Sequence, residues 1–229
     1  MRAIGFRPWL LVSGLLFLAI TLANPVRADR EVVRVEEGIT VEEEMLPGRV
    51  LPILTGTTTM AATPERIAAW IGAVHTYIDW QHRCEEARVL PPTDGRRLAY
   101  NRIGSPWPVS DRDVVLESER TDFEDGRIHI EFRSTEAPDA PVPGGVVRMP
   151  RLVGSYDLTP TPEGTRVVYT VDSDPGGSLP GWLVRQASKD LPFHTLRNLR
   201  ERVEAGPPPP AEAPSASGSV HSPGIGKGK

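Results

Sequence analysis

Three short turn signals constrain this chain more than any other feature. "PPTDGRR" carries Asp94-Gly95, "DFEDGRI" carries Asp125-Gly126 and "TPEGTRV" carries Glu163-Gly164. Glycine takes positive φ without a steric penalty, so such a pair between apolar or alternating runs marks a hairpin. "CEEARVL" and "RRLAYNRI" flank the first turn, "DVVLESERT" and "RIHIEFRST" the second, "VRMPRLVGSYDLTP" and "RVVYTVD" the third. Six strands in consecutive hairpins make an antiparallel sheet. Ile128, Ile130 and Phe132 alternate with His129, Glu131 and Arg133, and Val167, Tyr169 and Val171 share a face. The sheet therefore has one apolar and one solvated face. "EVVRVEE", "ITVEEEM" and "VLPILTGTTTM" extend it to about eight or nine strands.

Something must cover the apolar face, and two helical segments are available. "TPERIAAWIGAV" opens with Thr63 as N-cap and Pro64 in the first turn, and Ile67, Trp70, Ile71 and Val74 form one face. "SLPGWLVRQASKDLPFHTLRNLRERVE" carries an apolar stripe of Trp182, Leu183, Leu196, Leu199 and Val203. Pro192 removes a backbone donor inside it and is expected to kink or split the helix. The expected fold is α+β: a curved antiparallel sheet wrapped around a long C-terminal helix.

The chain ends read differently. Residues 1–28 have a basic start (Arg2, Arg7), an uncharged run from Trp9 to Ala23, a break at Asn24-Pro25 and small residues before Asp29. This is the pattern of a secretory signal peptide cut after Ala28, and the run is short for a membrane span. Its removal takes away Arg2, Arg7 and Arg27 and no acid, so the formal charge of −4 becomes −7. An acidic domain lacks the basic footprint of a nucleic-acid binder. A periplasmic or secreted location follows. Cys84 is the single cysteine, so no intrachain disulfide forms, and it reads as a small hydrophobe. From Ala205 to Lys229 the chain is Pro-, Ser- and Gly-rich, a disordered tail. Residues 29–204 are one domain.

One residue carries most of the functional argument. In "NRIGSPWPVSDRDVVLESE", Arg112 shares a strand face with Val114, Leu116 and Ser118, while Asp111 and Asp113 share the opposite face with Val115, Glu117 and Glu119. The Arg112 face is the more apolar and should point inward; the face with the two aspartates reads as solvated. An inward guanidinium must pair, or line a cavity that holds water or an anion. An internal ion pair, with Glu85 as one partner, and a ligand head group both satisfy it.

These residues resemble a known family. "SPWPVSDRDVV" looks like the opening of a central strand in StAR-related lipid-transfer (START) domains. "VGSYDLTPTPEGTRVVYTVDSDPGGSLPGWLV" and "LPFHTLRNLR" resemble the last two strands and closing helix, and "TPERIAAWIGAVHTYIDW" matches in place and kind. The likeness runs from about Leu51 to Glu204 and departs at the N-terminus, where no long first helix is evident. It implies a helix-grip fold around an internal hydrophobic cavity holding one lipid or sterol, gated by the C-terminal helix and nearby loops. In some members the arginine matching Arg112 meets a phospholipid head group or an internal acid.

Other constellations are weaker. His75, Asp79 and His82 in "HTYIDWQH" fall short of a converging metal set. His194 lacks a neighbouring nucleophile. Trp70, Trp80 and Trp182 read as core residues, and Trp107, between prolines in a loop, suits a cavity mouth. The expected function is binding and transfer of a lipid or other hydrophobic molecule. Arg112 would meet its polar end, Val114, Leu116, Ile130 and Trp182 would line or close the apolar part, and Ser118, with Trp107 at the mouth, completes the candidate ligand-binding set. No metal or cofactor is expected; transient contact with a membrane surface is. The sequence sets no oligomeric state. The alternatives are a cyclase or hydrolase of aromatic or polyketide-like substrates in the same cavity, and a sensing or envelope-scaffolding role with the tail as tether.

Overall fold

The computed structural model describes residues 30–49, 51–92 and 95–210. The expected signal peptide and most of the Pro-rich tail lie outside the described residues. Gly206 to Pro210 are described. The Gly206 carbonyl accepts the Trp70 indole N–H at 2.8 Å, and the Pro209 carbonyl lies 3.0 Å from His75 Nε2.

Among the described residues ten strands form one sheet. They are β1 (Arg30–Glu36), β2 (Ile39–Glu44), β3 (Ile53–Met60), β4 (Cys84–Val89), β5 (Leu98–Ile103), β6 (Arg112–Asp122), β7 (Ile128–Thr135), β8 (Val147–Arg148), β9 (Arg151–Thr161) and β10 (Gly164–Asp174). Their order is β1-β2-β3-β10-β9-β7-β6-β5-β4, antiparallel throughout, with the two-residue β8 parallel to β6 off that path. All three hairpins form, as β4–β5, β6–β7 and β9–β10. Their glycines need the positive φ that marked them: 75° at Gly95, 81° at Gly126 and 136° at Gly164. At Gly164 a Cβ would lie 2.1 Å from the Met60 carbonyl oxygen, so no side chain fits there.

Helix α1 (Pro64–Gly72) begins at Thr63, whose hydroxyl accepts the Arg66 N–H at 3.4 Å. Ile67, Trp70 and Ile71 are buried, and Val74 falls in the 3-10 turn Val74–Thr76, which leads into the short α2 (Tyr77–Trp80). Helix α3 (Gly181–Ala205) is a single 25-residue helix, so Pro192 does not split it. The proline sits over Gly56 of β3, where a Cβ would come within 3.0 Å of Pro192 Cβ and 2.7 Å of Leu196 Cδ1. The bare glycine lets the helix lie close to the strand.

Phe193, Leu196, Leu199 and Val203 drive α3 into the sheet's apolar face, and the helix packs on β2, β3, α1 and α2. Polar contacts fix the same stretch. Arg34 stacks 3.4 Å over the Phe193 ring and pairs with Asp190 at 3.2 Å, Asn198 donates to the Trp80 carbonyl at 3.1 Å, and Glu204 accepts the Ala61 N–H at 3.0 Å.

The far face of the sheet differs from expectation around Asp113. Its carboxylate is fully buried and takes two hydrogen bonds from Arg148, at 2.8 and 2.9 Å. The chain between β7 and β9 folds back over this face. There Leu90, Leu98, Tyr100, Val115 and Ala140 make a smaller separate core, and the Val147 and Met149 amides bond the Asp111 and Asp113 carbonyls. Asp111 stays nearer the surface and pairs with Arg102 at 3.0 Å.

Candidate functional site

A cavity of about 270 Å³ lies between the inner face of the sheet and the three helices. Strands β6, β7, β9 and β10 supply Val114, Leu116, Ile130, Phe132, Tyr156 and Tyr169; Ile71, Tyr77, Leu191 and Thr195 close it from the helical side. Strand alternation brings these side chains together, because paired residues on adjacent strands face the same way. Tyr169 pairs with Tyr156, and their rings stack at 4.6 Å. Gly154 gives Phe132 its place: a Cβ there would fall 2.4 Å from the ring's Cζ.

The polar groups of this chamber are held neutral. Burial pushes the Tyr77, Tyr156 and Tyr169 hydroxyls well above the ordinary tyrosine range, and Tyr77 donates to the Ile71 carbonyl at 2.6 Å. Burial, and then neighbouring His194, pull His82 down to about 4. The two imidazoles stack at 4.9 Å, and the His82 backbone N–H donates to the Thr195 hydroxyl at 3.4 Å. The ionic side chains that line the cavity, Arg97, Glu119 and Arg120, are exposed at its opening.

The residues singled out from sequence divide into two groups. Val114, Leu116 and Ile130 line the cavity, and Ser118 lines it at the exposed end. Arg112 points to the inner side and is only 6% exposed, but it does not reach the chamber. Its guanidinium donates to three main-chain carbonyls: Ser110 at 2.5 Å, Gly176 at 3.3 Å and Pro175 at 3.4 Å. Burial lowers its pKa, and neighbouring Asp111 acts the other way. It ties the start of β6 to the loop that feeds α3, and it lines a separate shallow pocket there between residues 108–110 and 177–180. The Glu85 ion pair does not form; carbonyl oxygens take the place of an acid. Trp107 is 91% exposed and Trp182 is 47% exposed, and neither lines the cavity. Trp107 projects from a surface loop, and Trp182 stands in the first turn of α3, ahead of the stretch that packs on the sheet.

Sequence reasoning passed over Asn101, Tyr77 and Tyr156, and weighed His82 only as a metal ligand. A signal existed for Asn101: in "LAYNRI" it takes the inward position between Ala99 and Ile103, where a polar residue breaks the apolar face. Cys84 is half-buried, and burial raises its thiol to about 11. Among the described residues no three His, Cys, Asp or Glu side chains converge on a metal position, and no helix is long and apolar enough to cross a membrane.

The START domain family model matches residues 72–206, a span that takes in β6, β7, β9, β10 and the whole of α3. The chain belongs to the START domain family. START domains bind lipids or other hydrophobic ligands. An uncharacterized protein of Pseudomonas aeruginosa is 32% identical over 184 residues, covering 79% of this chain and 90% of that one. The rat phosphatidylcholine transfer protein is 33% identical over 101 residues, 42% of this chain and 47% of its own length. The chain thus matches about half of that relative. A crystal structure of a STAR-related lipid transfer protein fragment from Xanthomonas axonopodis superposes with a TM-score of 0.68 at 30% identity, covering 76% of this chain and 98% of that one. Human StAR-related lipid transfer protein 5 shares the fold, with a TM-score of 0.67 at 20% identity over 77% of this chain and 86% of that one.

Proposed function

We propose that this START domain carries one lipid or similar hydrophobic molecule between membranes, in an extracytoplasmic compartment. The observation that supports carriage best is the enclosed chamber under α3, apolar along most of its wall and lined by neutral polar groups. An apolar molecule gains from leaving water for such a chamber, and a few fixed polar groups set its orientation. Val114, Leu116, Ile130 and Phe132 form the hydrocarbon wall. Release needs α3 to lift, because its buried Leu196 sits directly against β3. The location rests on the signal-peptide pattern of residues 1–28. The reading favours carriage over catalysis because the phosphatidylcholine transfer protein and the Xanthomonas axonopodis fragment, both lipid transfer proteins by name, are among the chain's relatives.

The test is native mass spectrometry of the mature domain taken from its own envelope fraction, followed by organic extraction and a vesicle-to-vesicle transfer assay. A co-purifying lipid moved between vesicles supports carriage. A protein that arrives empty and takes no lipid from vesicles overturns it. Recovery of the uncleaved precursor in the inner membrane would remove the compartment assignment alone.

A further inference from the structure

One polar side chain in the chamber lacks a partner. Asn101 is only 3% exposed and lines the cavity, and its Oδ1 is wholly buried with no hydrogen-bond partner among the described residues. An orphaned buried acceptor is costly and uncommon in a native core. Its neighbours on the sheet offer no local rescue. Asn101 pairs across the sheet with Ala87 on β4 and Val114 on β6, so its flanks on that face are apolar, and its own-strand neighbours there are Ala99 and Ile103. A side-chain amide offers an acceptor and two donors at one point. The ionic liners stand at the exposed opening, so no charge waits deep in the chamber to neutralise an ionised group.

We propose that Asn101 is the polar anchor of the bound molecule, receiving an uncharged hydroxyl head group whose O–H donates to Oδ1. The ligand class is a neutral lipid alcohol, with its chain running along Val114 and Leu116 toward the opening. A phosphate or quaternary ammonium head finds no counter-charge at this depth, so phospholipids are the poorer ligands. This assignment rests on the proposed carriage and goes beyond it by naming the head group and the residue that selects it.

The experiment compares hexadecanol with hexadecyl methyl ether, each presented to the mature domain from phosphatidylcholine vesicles, with bound species counted by native mass spectrometry. The ether keeps the chain and loses the donor. The parent protein is expected to favour the alcohol by about tenfold, the worth of one hydrogen bond to a buried acceptor. N101L should bind both probes equally, through weaker binding of the alcohol. N101T keeps a hydroxyl at the site and should retain part of the preference, which holds the test open if the leucine variant folds poorly. Equal binding of both probes by the parent, or an unchanged preference in N101L, overturns the assignment. Phosphatidylcholine taken up in preference to both probes overturns the neutral head group and leaves carriage standing. If the parent takes up neither probe nor phospholipid, carriage itself falls and the anchor with it.

Discussion

Gly56→Ala is the sharpest test of how α3 is seated. Gly56 lies mid-strand in β3, paired with Val41 on one side and Tyr169 on the other, and its φ is not positive. The backbone therefore accepts alanine, and strand propensity alone would favour the change by roughly 0.5–1 kcal/mol. Packing opposes it. The new methyl would stand 2.7 Å from Leu196 Cδ1 and 3.0 Å from Pro192 Cβ, where carbon atoms prefer about 3.5–4.0 Å. Leu196 is fully buried and the proline ring is rigid, so the helix must retreat by about an ångström. Overpacking of this kind costs about 1–3 kcal/mol, leaving a net loss centred on about 1 kcal/mol and no larger than about 2.5 kcal/mol. Urea denaturation of the mature domain measures it, and ligand release from the variant should quicken as the helix loosens. Leu196→Ala costs about 2–5 kcal/mol alone, but the double variant should be more stable than the sum of the two by about 1–2 kcal/mol. A Gly56→Ala protein as stable as the parent, or additive with Leu196→Ala, would mean that α3 does not sit on β3 as described.

Three further expectations follow from other contacts. Arg148→Met leaves the fully buried Asp113 carboxylate unpaired and should cost about 3–5 kcal/mol, whereas Asp113→Asn, which leaves Arg148 with some access to water, should cost less; chemical denaturation of both variants checks the ranking. Arg112→Met strips three carbonyls of their donor and should cost about 2 kcal/mol while speeding amide exchange in residues 174–180, with ligand affinity unchanged; a selective loss of ligand binding would place Arg112 in the binding site after all. His82 and His194 both have lowered pKa values in the folded protein, so the unfolded chain binds more protons and stability rises with pH through this range. The His82 contribution is complete above about pH 6.5 and is lost as pH falls toward about 4, so His82→Phe should flatten the urea midpoint across that window.

What could be read from sequence follows the range of each signal. Hairpin turns, strand alternation and the Thr63-Pro64 helix start are local, and each was recovered in place. The inward direction of Arg112 was legible for the same reason. Its partners were not, because two of the three carbonyls come from a loop more than sixty residues later. Asp113 misled because burial of the outer face depends on the chain between β7 and β9 returning over it, which alternation within β6 does not report. Pro192 misled because its tolerance is set by an absent side chain on β3, at Gly56. Asn101 stood in plain view as a polar residue on an apolar face, but only the closed geometry shows its oxygen without a partner.

The seating of α3 also governs how the domain is made. β3 pairs with β10 across more than a hundred residues, and α3 packs on β2 and β3 after nearly the whole domain has been built. Contacts so distant in sequence are entropically slow to close. Until the last helix arrives, the inner face of the sheet stands open to water with Val114, Ile130, Tyr156 and Tyr169 unshielded. That nascent half-cup is the species most exposed to aggregation, and a chain truncated before α3 should be recovered as aggregate rather than as an open, soluble cup.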